Sequence, residues 1–184
     1  MKPTIAVLIP EPTVSKTLSE KERKKLKSFS YVKTESFSEA KPEIIRALIA
    51  GADGCITGWG SCTLTETILD AAPGLKIIAH AAGSVKPIVS DAVWQRGITV
   101  TSAAAAIAVG VAEHTLGLML SAMKRTYWFN EIVHQGKWKD RGEMEKVKEL
   151  YGITIGVVGA GHVGRHFIRL LQNFDVEILL YDPF

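Results

Sequence analysis

The sequence predicts an α/β protein. A parallel-sheet unit occupies residues 1–101. Long apolar helices and the start of a second, incomplete parallel unit follow over 102–184. Three observations carry this expectation. Short apolar β runs alternate with short helical patterns through the first hundred residues, which is the pattern of a parallel sheet covered on both faces. A stretch of about twenty residues, Ala104 onwards, is apolar nearly all round. A third stretch, "ITIGVVGAGHVGRHF" (Ile153 to Phe167), reads as strand, glycine turn and helix.

The elements follow in order. "TIAVLI" (4–9) is an apolar β run. "LSEKERKKLKSF" is a helix with Ser19 as its N-cap, turning Leu18, Leu26 and Phe29 inward and its charges outward. "YVKT" (31–34) is a short strand. "KPEIIRALIAG" is a helix, with Pro42 in its first turn, Ile44, Ile45, Leu48 and Ile49 along one face, and Gly51 at its end. "GCIT" (54–57) is a strand, "TETILDAAPG" a helix, "LKIIAH" a strand near 75–79, "SDAVWQRG" a helix and "ITVTS" a strand near 98–101. The long apolar helix runs to about Arg125, and "TYWFNEIVHQGKW" continues as a second helix. "KDRGEMEKVKEL" is a polar surface connection.

Composition narrows the function classes. Hydrophobic residues make up 47% and charged residues 22%, as in a globular chain. The net charge of +3 does not point to nucleic acid, and the one basic run, Lys21 to Lys27, lacks an interleaved aromatic platform. Cys55 and Cys62 lack both a disulfide framework and metal-site spacing. Reduced structural thiols and a cytoplasmic location follow. No metal site is expected. Residues 103–123 are long and apolar enough to suggest a membrane span. Glu113 and His114 sit at their centre, however, and a central carboxylate costs about 2.5–3.5 kcal/mol on insertion. The expectation is a buried helix, covered by a sheet or by another subunit.

The glycine turn carries chemistry. Gly159, Gly161 and Gly164 have G-x-G-x-x-G spacing after a β run, and the following helix has apolar spacing at Val163, Phe167, Leu170 and Leu171. A second strand, "VEILLYD", ends in Asp182, eighteen residues past Gly164. Strand, turn, helix, strand and acid make a dinucleotide-binding fingerprint. Gly159 permits the turn, Gly161 leaves room for a pyrophosphate and Gly164 allows close helix–strand packing. The amides of His162 and Val163 face the phosphates at the positive end of the helix dipole. Asp182 suits ribose hydroxyls and repels a 2′-phosphate, which selects NAD.

Taken together, the chain resembles the D-isomer-specific 2-hydroxyacid dehydrogenases. The resemblance rests on Ala52 to Val85, "VAEHTLGLMLSAMKR" (111–125), "GKW" (136–138) and "ELYGITIGVVGAGHVG" (149–164). It implies a flavodoxin-like substrate domain followed by a Rossmann domain, with the active site between them. It implies that backbone amides at Ala82, Gly83 and Ser84 hold the carboxylate of a small 2-hydroxy or 2-oxo acid, with Lys86 adding charge nearby. It places Thr115, on the linking helix, against the cofactor, and makes the 104–125 helix the seam of a homodimer.

The resemblance also implies a histidine, a carboxylate and an arginine as the catalytic set, all downstream of the position matching Asp182 and so beyond Phe184. None of them carries over to this sequence. His80, His114, His134, His162 and His166 offer no replacement; His80, at a strand end beside the substrate turn, is the one placed to touch substrate. The expectation is a fragment that is inactive by itself, whose second unit is a two-stranded stub. The alternative is a non-catalytic dinucleotide-binding or dimerising protein, either corepressor-like or a truncated partner subunit.

Overall fold

A computed structural model describes residues 1–138 and 141–184. Lys139 and Asp140, which the sequence assigns to a polar connection, lie outside the described residues. The chain divides into two compact units, Met1–Ala104 and Ala105–Phe184.

The first unit contains β1 (Thr4–Val7), α1 (Thr13–Thr17), α2 (Glu20–Phe29), β2 (Tyr31–Lys33), α3 (Pro42–Ile49), β3 (Gly54–Thr57), α4 (Glu66–Leu69), β4 (Ile77–His80), α5 (Asp91–Gln95) and β5 (Thr99–Ser102). Its five strands are all parallel, in the order β2-β1-β3-β4-β5. This is the flavodoxin-like doubly wound arrangement.

Alternation along the strands builds two cores. Ala6 and Leu8 face one side, where Ile45 and Ile49 of α3, Ile68 and Leu69 of α4, and Val93 of α5 cover them. Val7 and Ile9 face the other side with Val14 of α1, and Leu18 and Leu26 pack against them. Successive side chains in a strand point to opposite faces, so a buried strand is apolar on both.

Two expectations for this unit need correction. Phe29 does not turn inward: it is half exposed at the end of α2, a helix with no fully buried residue. Ser19 has the extended backbone of an N-cap, but its hydroxyl bonds the Glu22 carboxylate instead of a helix amide. Helix α1 was not anticipated. Pro12 directly precedes it, and the Val14 amide donates to the Pro10 carbonyl at 3.0 Å.

The second unit contains α6 (Ala104–Met123, beginning at the seam), α7 (Thr126–His134), α8 (Arg141–Met144), β6 (Tyr151–Val158), α9 (His162–Leu171) and β7 (Asp175–Tyr181). Strands β6 and β7 pair in parallel, and α9 forms the crossover between them. Val157, Phe167 and Leu171 form a small core with Ala112 of α6, and Leu116 and Met119 pack against it. Arg125 turns the chain between α6 and α7 with φ 56°, and its guanidinium pairs with Glu143.

The expectation of a buried α6 is not met within the chain. Only Ala108 and Ala112 are buried, whereas Val109, Val111 and Leu118 stay 42%, 43% and 46% exposed. Alanines allow close backbone approach on one stripe, and Leu116 and Met119 are partly covered beside it. By length and composition alone α6 could cross a membrane; its Ala112–Leu116–Met119 stripe packs instead on the small core.

Helix α9 and the turn after β6 approach closely. A Cβ built on Gly164 would lie 2.0 Å from the Gly159 carbonyl oxygen. Backbone cannot yield as a flexible side-chain end can, so Gly164→Ala should cost at least about 1–3 kcal/mol. Amide hydrogen exchange at Val157 and Val158 should then speed up by about tenfold or more. Unchanged exchange in the variant would show that this helix–strand packing is not needed.

Candidate functional sites

Two sites emerge, one in each unit, each at the carboxyl end of parallel strands. The first lies in the second unit. Strand β6 ends at Val158, and Gly159 follows with φ +95°, a conformation that side chains oppose. Its amide donates to the Tyr181 carbonyl at 2.8 Å, which ties the turn to the end of β7. Open space surrounds the position of a Cβ on Gly161. Helix α9 starts at His162, and its first helical bond runs from the Arg165 amide to the Gly161 carbonyl at 3.0 Å. The amides of His162 and Val163 precede that bond, and both residues are exposed. Amides at this position lack intrahelical partners and suit an anion. The residues therefore fit a dinucleotide pyrophosphate: a free approach at Gly161 beside donors at a helix start.

Asp182 lies at the end of β7 beside this loop. Its carboxylate accepts the Ala160 amide and, at 3.0 Å, the Phe184 amide. These bonds, the Phe184 one foremost, and the positive charge of Arg165 hold its carboxyl below the usual value. Arg165 also donates from Nε to the Ala160 carbonyl at 2.6 Å. Thr115 donates its hydroxyl to the Val111 carbonyl at 2.8 Å, back along α6.

The second site lies in the first unit. Thr57 and His80 end β3 and β4 as register partners, and both are buried. Thr57 Oγ1 and His80 Nδ1 are 3.0 Å apart. The turn Ala82–Gly83–Ser84 follows, with open space at Gly83. The Ala103 amide donates to the carbonyls of His80 and Ala82, each at 3.0 Å, which fixes the start of the turn. A cavity of about 210 Å³ opens here, lined by Ala82 and Ser84 together with His80 and the loop after β3. Lys86 is exposed and is not among the residues lining it.

Sequence reasoning placed His80 beside this turn but missed its tie to Thr57, which is 23 residues away. It also missed Trp59 and Ser61, which line the same cavity. The signal available was the pair of glycines flanking Trp59. Of the remaining histidines, His114 and His162 are exposed, and His134 is exposed and bonded through Nδ1 to the Asn130 carbonyl at 2.8 Å.

Burial holds the His80 pKa below its ordinary 6.5, outweighing a hydrogen bond with the Ser84 backbone that favours the charged ring. A lowered folded value means that the unfolded chain takes up the proton first. The stabilisation is complete above 6.5 and is lost as pH falls from there through the folded value. Thermal midpoints measured across that window should decline for the native chain and decline less for His80→Gln. Identical profiles for the two proteins would remove His80 as the cause.

Comparison with known proteins agrees with this geometry. Residues 116–184 match the D-isomer specific 2-hydroxyacid dehydrogenase NAD-binding domain. The chain is 35% identical over 121 residues to D-3-phosphoglycerate dehydrogenase of Methanocaldococcus jannaschii, covering 66% of this chain and 23% of that protein. It is 36% identical over 127 residues to glyoxylate reductase of Thermofilum pendens, covering 66% of this chain and 38% of that protein. Among solved structures, the PH0520 protein from Pyrococcus horikoshii superposes with a TM-score of 0.79 at 24% identity, over all of this chain and 54% of that one. A phosphoglycerate oxidoreductase from Rhizobium etli gives 0.74 at 25% identity, over 99% of this chain and 56% of that one. The chain thus spans well under half of these curated relatives and about half of the solved chains. On these matches, residues 116–184 carry the D-isomer-specific 2-hydroxyacid dehydrogenase NAD-binding domain pattern, and the chain is similar to members of that family.

Proposed function

We propose that the protein takes part in NAD-dependent hydride transfer on a small 2-hydroxy or 2-oxo acid. The observation that carries this reading is the turn after β6. Gly159 has a positive φ, Gly164 packs on it, and Gly161 is open beside the first amides of α9. Bound NAD supplies the hydride donor or acceptor.

The chain's own residues bind and orient. Amides of His162 and Val163 face the pyrophosphate, and Asp182 faces the adenosine ribose hydroxyls and disfavours a 2′-phosphate. In the first unit, the amides of Gly83 and Ser84 take the substrate carboxylate. Such amides stabilise an anion without bringing a counter-charge. Thr115, whose hydroxyl donates back to the Val111 carbonyl and keeps its lone pairs for a further bond, is proposed as a cofactor contact on α6.

Proton exchange at the substrate oxygen is assigned to none of the five histidines. His80 is buried with its ring tied to Thr57 and the Ser84 backbone, and His134 is bonded to its own helix. The 184 residues by themselves are therefore proposed to bind NAD without turning over a 2-oxo acid. The exposed apolar side of α6 supports a homodimer formed through residues 104–125. It equally supports the second reading, a dinucleotide-binding partner subunit without catalysis. The cysteines support a cytoplasmic location: both are free, and burial pushes the Cys55 thiol up to about 12.

NADH binding, followed by fluorescence, tests the loop. Gly161→Val should weaken it at least about tenfold, or about 1.4 kcal/mol, with an unchanged thermal midpoint. Adding pyruvate or glyoxylate should not consume the NADH. Binding that is indifferent to the valine would discard the loop assignment, and steady NADH oxidation would discard the inactive state. Light scattering should give a mass of about twice 20.0 kDa; a monomer at micromolar concentration would remove the α6 seam.

A further inference from the structure

Parallel strands gather their amino ends as well as their carboxyl ends. In the first unit, β1, β2, β3 and β4 begin along one edge, at Thr4, Tyr31, Gly54 and Ile77, at the far end of the strands from the Ala82–Ser84 turn. Helix α2 leads straight into β2, so its carboxyl end reaches the same edge. Hydrogen bonds stitch these starts together. The Tyr31 amide donates to the Pro3 carbonyl at 2.9 Å, and the Lys76 amide to the Asp53 carbonyl at 2.8 Å. The Thr4 amide donates to Asp53 Oδ2 at 2.8 Å. Lys2 Nζ donates to the Ser28 carbonyl at 2.8 Å, which anchors its charge over the end of α2.

This edge presents cations and rings together. A cleft of about 430 Å³ opens on it, with Lys2 and Lys76 at its sides, Pro3, Ile5 and Ile77 as apolar wall, and the amide-bonded Asp53. Beside it Phe29 and Tyr31 are 50% and 62% exposed, while Ser30 between them is buried. Lys21 and Lys25 are exposed one turn apart on α2. The carboxylates of that helix are already engaged, Glu22 by the Ser19 hydroxyl and Glu20 by Lys24 at 3.4 Å. The basic run has no ring within it, but the fold sets two rings at its end. Leu18 and Leu26 are spent on the helix's own core, so α2 keeps no apolar face for a bilayer. A concave cleft flanked by ammonium groups suits a chain of anions better than a flat surface.

We infer that this amino edge docks a single-stranded nucleic acid: Lys21, Lys25, Lys2 and Lys76 meet successive phosphates, and bases stack on Phe29 and Tyr31. Every base has a face to stack, so such a surface binds with little regard to sequence. The inference is independent of the activity proposed above, because it uses none of the residues assigned to NAD or to the acid.

Fluorescence anisotropy of the full chain with a short labelled oligothymidylate tests it. Between about 50 and 200 mM salt, the logarithm of the association constant should fall against that of salt with a slope of about −3, as for four phosphates on a single strand. Replacing both Lys21 and Lys25 by Gln should roughly halve that slope. Tyr31→Ala should weaken binding about tenfold, whereas Tyr31→Phe, which keeps a ring to stack on, should retain it. Thermal midpoints of these surface variants should match the native chain. Three results would overturn the inference: no binding at the lowest salt, binding indifferent to Tyr31→Ala, or heparin, a polyanion without bases, bound as tightly as the oligonucleotide. Tighter capture by phosphatidylserine vesicles at the same salt would overturn it in favour of a membrane surface.

Discussion

Parallel pairing is the constraint on which everything else here depends. Strands that all run the same way bring all their carboxyl ends to one edge of a sheet. The chain must then cross over, usually through a helix, before it can return. In the first unit, the loops leaving β1, β3 and β4 therefore meet along one edge, although their residues are tens of positions apart. Thr57 and His80 face each other because β3 and β4 are in register, and Ser61 reaches Leu8 because β1 and β3 are neighbours. In the second unit, the same rule places Gly159 beside the end of β7, where Tyr181 and Asp182 lie. Ligands of open α/β sheets bind at such edges because the backbone there is not committed to the ladder.

Much of this was legible in the sequence, for a definite reason. A strand buried on both faces is a short run of branched apolar residues, and the predicted strands lie within two residues of those observed. The glycine fingerprint was legible because each glycine answers a local geometric demand. Less legible was anything set by what covers an element. The composition of α6 shows that it is apolar all round, but not that only Ala108 and Ala112 are fully buried within the chain. Phe29 fits an inward face by spacing, yet α2 is too shallowly seated to bury it. Trp59 has no periodicity to announce it, being one ring in a loop. The Thr57–His80 tie depends on strand order, which a single sequence specifies only through its fold.

The two sites differ in how they handle charge. The cavity of the first unit lowers the pKa of its imidazole by burial, which disfavours the charged ring. The loop of the second unit does the opposite with Asp182, stabilising the anion through the Phe184 and Ala160 amides and the nearby Arg165. A carboxylate bonded to the Ala160 amide also restrains the turn that contains Gly161. Positioning and recognition are then linked: a neutral residue at 182 would release the turn as well as remove a ribose partner. Arg165 reinforces the arrangement from the helix side, since its Nε holds the Ala160 carbonyl while its charge faces Asp182. Ala160 is thus gripped at both its amide and its carbonyl. The one residue of the loop without a glycine's freedom is held by two side chains, and its glycine neighbours are left to meet the ligand.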